Sequence, residues 1–164
     1  MENKEEQIFY DTTSRVGVIM KSIKAVESGN IISSSVDYFG DPSQVTYIQV
    51  FDNKKSLKYK SAKKGGDIFD LQLSPNQKHL AVGRTDGTIE IHDIIQMALV
   101  WESSPEQIGA ISSTFSEIIE GSLAFSPDGA FIQATGGRSN IGLWNVLSGD
   151  LLSSDFHFNS PLVK

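Results

Sequence analysis

The chain has 164 residues, 39% hydrophobic and 21% charged, a globular balance with room for one ordinary domain and its core. It has no cysteine, which excludes disulfides, thiolate metal sites and a cysteine nucleophile, and no stretch approaches the roughly 18 apolar residues of a membrane span. A net charge of −6 disfavours whole-molecule attraction to nucleic acid or to an anionic membrane.

Residues 1–15 read as a polar lead in which Ile8-Phe9-Tyr10 is at most a strand stub. Met1 to Gln7 lacks the apolar core of a secretory leader, so an intracellular, cytoplasmic setting is expected. A first unit covers about 16–61. Val16–Met20 and a run opening at Asn30 are apolar, Tyr38–Ser43 is a turn, and Val45–Phe51 is β-branched and aromatic, as a half-buried strand is. After an Asp52-Asn-Lys-Lys turn, Ser56–Lys60 alternates apolar residues with lysine, the pattern of an outer strand with one face in water.

A second unit covers 67–103, with strands at Ile68–Leu73, Leu80–Val82, Thr88–Asp93 and Met97–Trp101 and a tight turn at Thr85-Asp86-Gly87. A third covers 122–154, with turns at Asp128-Gly129, Arg138-Ser-Asn140 and Ser148-Gly-Asp150. Phe156–Pro161 has the look of a fourth unit beginning.

The second and third units repeat each other. Leu71-Gln-Leu-Ser-Pro-Asn-Gln-Lys-His-Leu-Ala-Val-Gly is answered by Leu123-Ala-Phe-Ser-Pro-Asp-Gly-Ala-Phe-Ile-Gln-Ala-Thr-Gly. Ile89–Asp93 is answered by Ile141–Asn145. A period of 41 residues, Asp52 to Asp93, fits a four-stranded blade of about 40–45 residues. The next interval, Asp93 to Asn145, is 52 residues, so the excess falls in 102–120. There Ile108, Ile111, Phe115, Ile118 and Ile119 have helical spacing, and Ser104, Pro105 and Gln107 suit an N-cap, a first-turn proline and a capping-box partner. Two readings stay open: a short amphipathic helix inserted between blades, or a long inner strand in the C-terminal half.

These residues resemble the WD40 family over about 16–154. Phe125-Ser-Pro-Asp-Gly129 matches the turn between the first two strands of such a blade, and Asp86 and Asp93 stand at its turn and strand-end acids. Trp144-Asn145 takes the place of the family's Trp-Asp pair, and His92-Asp93 and Phe51-Asp52 keep the acid alone. The family's Gly-His pair is missing, and Arg138 stands where the turn acid would be in the third unit. The resemblance implies an all-β fold of about three four-stranded antiparallel propeller blades over 16–164, plus the start of a fourth. A closed propeller has about four to eight blades, so the expectation is a piece of a longer propeller, copies that close a ring together, or a partner that supplies blades.

No converging catalytic set or hydrolase, phosphate-loop or metallopeptidase motif is present, so no enzyme activity, cofactor or metal is expected. His79 and His92 on neighbouring strands make a conceivable metal pair without a third ligand, His92 reading better as a packed structural side chain, and His157 lies in the tail. Asp52, Asp86, Asp93, Asp128 and Asp150 are turn or strand-end residues. The basic concentration is Lys54, Lys55, Lys58, Lys60, Lys63 and Lys64, a solvated outer strand and loop or else a contact for anions. Arg84 and Arg138 follow glycines at related places and are candidates to grip an acidic peptide or a phosphate on one rim.

The expected function is a non-catalytic protein–protein interaction scaffold within a larger intracellular complex. Ile108, Ile111, Phe115 and Ile118 are candidate partner contacts. The alternatives are an accessory propeller of a peptidase-type enzyme, or an anionic-ligand or nucleic-acid binder acting through Lys54–Lys64.

Overall fold

The structure is a computed structural model that describes residues 18–25, 29–37, 45–64, 67–104, 107, 122–135 and 141–153. The lead at 1–15, the Tyr38–Ser43 turn, the insertion apart from 102–104 and 107, the turn with Arg138, and Phe156–Pro161 with His157 lie outside the described residues.

Twelve strands form three four-stranded antiparallel sheets among the described residues. The first holds β1 (Val18–Ala25), β2 (Ile31–Asp37), β3 (Val45–Phe51) and β4 (Leu57–Lys64). The second holds β5 (Ile68–Leu73), β6 (His79–Arg84), β7 (Ile89–Asp93) and β8 (Ala98–Glu102). The third holds β9 (Leu123–Phe125), β10 (Phe131–Thr135), β11 (Ile141–Asn145) and β12 (Leu151–Ser153). Within each sheet the strands follow chain order, and β5 lies beside β1 and β9. This is the blade architecture expected, with the first strand of each blade innermost.

The turns recur because their residues do. Ser74 and Ser126 each donate a backbone N–H across the first hairpin of their blade, to His79 O and Phe131 O, both at 2.9 Å. At the left-handed position of that turn the second blade has Gln77 (φ 57°) and the third Gly129 (φ 72°). The last hairpin of each blade repeats the contrast, with Met97 (φ 56°) against Gly149 (φ 75°). Glycine takes this conformation without the Cβ clash that Gln and Met meet.

Period-two alternation divides each sheet into two faces, and the second blade packs with both. Leu80 and Val82 face the first blade, in a core with Ile32, Ile48, Val50, Leu71 and Ile94. Ala81, Ile89 and Ile91 face the third, with Leu123, Ile132, Ala134, Trp144 and Val146. A fully buried Leu or Ile contributes about 1.5–3 kcal/mol, so these two cores hold the blades together. Asp70 adds a polar tie: its Oδ2 accepts from Leu123 N of the third blade at 3.0 Å. The lysine run departs from expectation, since β4 extends through Lys64 and no loop begins at Ser61.

Candidate functional site

Among the described residues, a dense cluster of charged side chains lies where the first blade meets the second. Alternation on β6 and β7 places Arg84, Glu90 and His92 on one face, and that face is covered by β3 and β4. All three are buried. Arg84 Nε donates to Glu90 Oε1 at 2.6 Å and Nη2 to Oε2 at 3.3 Å. Arg84 Nη1 also donates to Thr46 Oγ1 on β3. From β4, Lys63 Nζ lies 3.3 Å from Glu90 Oε1 and 2.9 Å from Glu102 Oε2.

His92 completes the joint. Its Nε2 is 2.9 Å from Glu90 Oε2 and its Nδ1 is 3.0 Å from the Tyr59 hydroxyl. A carboxylate only accepts, so Nε2 carries the proton shared with Glu90, while Nδ1 bonds the Tyr59 hydroxyl, which can either donate or accept. Burial pushes the Glu90 carboxyl up, but hydrogen bonds from His92 and Arg84 and their charge outweigh it and hold the group down at about 2. Burial raises the Tyr59 phenol. Each Glu90 oxygen already meets two partners, so the cluster joins blades and has no acceptor left for a substrate.

This corrects the reading of Arg84 as a rim residue for an acidic peptide: it is 0% exposed and spent on Glu90 and Thr46. A burial of the charge inside a blade joint is stable because its partner is buried with it. The histidine pair also separates. His79 pairs with Asp93 in register and His92 with Leu80, so the two side chains point to opposite faces. Among the described residues, no group of His, Asp and Glu is arranged to hold a metal ion.

The remaining sequence candidates fall in turns or joints. Asp52 Oδ1 accepts from Lys54 N and Ser56 N, Asp86 Oδ1 from Thr88 N, and Asp93 Oδ1 from Ile95 N and Gln96 N. Asn145 Oδ1 serves Leu147 N and Ser148 N in the same way. Trp144 is buried, with Nε1 donating to Gln107 Oε1 at 3.4 Å. Gln107 Oε1 also accepts from Ser104 N at 3.2 Å, one half of the expected capping box. In the lysine run, Lys58 pairs with Asp52 and Lys60 lies over the Tyr47 ring. Lys54, Lys55 and Lys64 are exposed at the surface. Arg138, Ile108, Ile111, Phe115 and Ile118 lie outside the described residues.

Thr46, Tyr59 and Glu90 were missed as site residues. The available signal was cross-strand: Val82 opposes Glu90, which puts Arg84 and Glu90 on one face of one hairpin with opposite charge.

Residues 54–93 match the family model for the WD domain, G-beta repeat. The match begins in the β3–β4 turn and ends with β7, so it holds Tyr59, Lys63, Arg84, Glu90 and His92 of the joint just described, but not Thr46 or Glu102. No curated protein matches the chain in sequence. Among solved structures, the chain is similar to the β-propeller domain of Cps50 (Swd1) from Myceliophteria thermophila, with a TM-score of 0.57 and 17% identity. The likeness covers 83% of this chain and 40% of that one, so the chain spans well under half the length of that propeller. The described residues thus have the fold of a β-propeller segment, three blades in phase, and residues 54–93 of it match a WD-type repeat.

Proposed function

We propose that this chain is a non-catalytic protein-interaction scaffold, a propeller segment that acts within a larger intracellular complex. The observation that carries the reading is how its polar groups are spent. The acidic residues that could have served chemistry cap turns, and the buried charges are paired across a blade joint. What the blades offer outward is surface, and surface suits recognition of other proteins. Arg138 and the 102–120 insertion, through Ile108, Ile111, Phe115 and Ile118, belong to this proposal as partner contacts.

Cross-linking of the chain in its host cells followed by mass spectrometry tests it. The expected result is a reproducible set of proteins, absent for the unfolded control Trp144→Arg and reduced for Phe115→Asp/Ile118→Asp. A set no different from that of the unfolded control overturns the scaffold reading.

A further inference from the structure

Among the described residues, the exposed large apolar side chains are Leu57, Ile95, Leu99, Val100, Leu147 and Leu152. All six lie on the hairpin that ends a blade, β3–β4, β7–β8 or β11–β12. Exposed apolar side chains that recur at one end of successive blades point to an interaction surface.

The hairpins can be superposed residue by residue. The capping side chains of Asp52, Asp93 and Asn145 accept from the backbone N–H of Lys54, Ile95 and Leu147, which makes these three equivalent. Registers Val50 to Tyr59, Ile91 to Trp101 and Leu143 to Ser153 make Lys58, Val100 and Leu152 equivalent, one residue before each. The same two surface positions therefore read Lys54 and Lys58 on the first blade, Ile95 and Val100 on the second, and Leu147 and Leu152 on the third. Trp101 joins the last two hairpins. Its Nε1 donates to Val146 O at 2.7 Å, and a Cβ at Gly149 would sit 2.9 Å from its ring. These matching positions are thus cationic on the first blade, beside the exposed Leu57, and aliphatic on the second and third, and together they make a candidate strip across the blades.

We propose that this strip binds an acidic, aliphatic segment of a partner protein, its carboxylates over Lys54 and, in competition with Asp52, over Lys58, and its apolar side chains over the second and third hairpins. Charge complementarity selects this occupant. A second copy fits poorly: set head to tail, the strip buries lysine against leucine, and set head to head it opposes lysine to lysine. A membrane surface fits less well, because the six exposed groups include no aromatic residue and the net charge is −6. The edges agree with the assignment. β4 carries four lysines that guard its free edge, whereas β8 and β12 carry none. The proposal rests on the scaffold reading and names its partner chemistry.

The test is fluorescence anisotropy on the whole chain with a dye-labelled peptide, glutamate-rich in its first half and leucine-rich in its second. Saturable binding is expected, weaker by about tenfold for Val100→Ser/Leu147→Ser and by roughly threefold for Lys54→Ser/Lys58→Ser, the latter loss shrinking at high salt. Trp101 fluorescence and the melting temperature report that the variants fold. The proposal falls if the lysine-for-glutamate peptide binds equally well, or if neither peptide binds. It also falls if the strip variants instead abolish binding to phosphatidylserine vesicles, or dissociate a dimer seen by light scattering. Should a variant that combines all four substitutions keep its full set of cross-linked proteins in cells, the scaffold reading stands and this surface falls.

Discussion

Lys63 of the first blade lies 3.3 Å from Glu90 of the second, an ion pair that crosses the joint between them. Glu90 also neutralises Arg84, which is 0% exposed. Removing the acid takes from buried Arg84 the carboxylate that it pairs with. Glu90→Ala is expected to cost about 3–5 kcal/mol of unfolding free energy, measured by urea denaturation. The double variant Arg84→Met/Glu90→Leu is expected to recover most of that loss, since apolar groups of similar size need no counter-charge. A double variant as unstable as Glu90→Ala contradicts the ion-pair account.

The same carboxyl sets an acid limit. Its folded-state value of about 2 lies below its ordinary 4.5. A depressed acid contributes its full stability above the unfolded value and loses it as pH falls through the folded one. The first-to-second blade joint is therefore expected to weaken as pH drops from 4.5 toward about 2. Melting temperature against pH checks this, with Arg84→Met/Glu90→Leu as reference. The wild-type curve should fall more steeply over that window, and parallel curves would remove Glu90 as the cause.

The repeated hairpins were legible in the sequence for a local reason. Ser-Pro, Asp-Gly and the strand-end Asp or Asn act on their own neighbours, and such bonds follow from spacing alone. The charged joint was not legible, because alternation along Ile89-Glu-Ile-His92 is also what a strand with one wet face shows. In a stack of blades the polar face of β7 is covered as well, and β7 is buried through His92. The partners that make this tolerable, Thr46, Tyr59 and Lys63, stand some 30 to 40 residues earlier in the chain. Arg84 was misplaced on a rim for the same reason.

The paired left-handed positions give a stability test of the repeat. Gln77→Gly is expected to stabilise by roughly 0.5–1 kcal/mol, since Gln77 holds a positive φ that its counterpart Gly129 holds freely. Met97→Gly is expected to destabilise despite the same φ, because Met97 packs against the core between the first two blades. Thermal denaturation of both variants separates backbone strain from packing. Equal shifts for the two would contradict this division.

Trp101 makes the corresponding test at the second joint. Trp101→Phe keeps most of the ring but removes the N–H that serves Val146 O. The expected loss is about 1 kcal/mol, read by denaturation followed through the remaining Trp144. Trp101→Ala should cost more, as it also opens the packing over Gly149.

The central claim is that three blades repeat in phase, and labelled distances at Lys54, Ile95 and Leu147 test it most directly. The chain has no cysteine, so spin labels enter only at cysteines introduced at these exposed turn positions. Pulsed electron–electron resonance on the three pairwise variants should give similar distances for 54–95 and 95–147, and a longer one for 54–147. A 54–147 distance no longer than the other two, or widely unequal neighbouring distances, would contradict blades stacked in order around one axis.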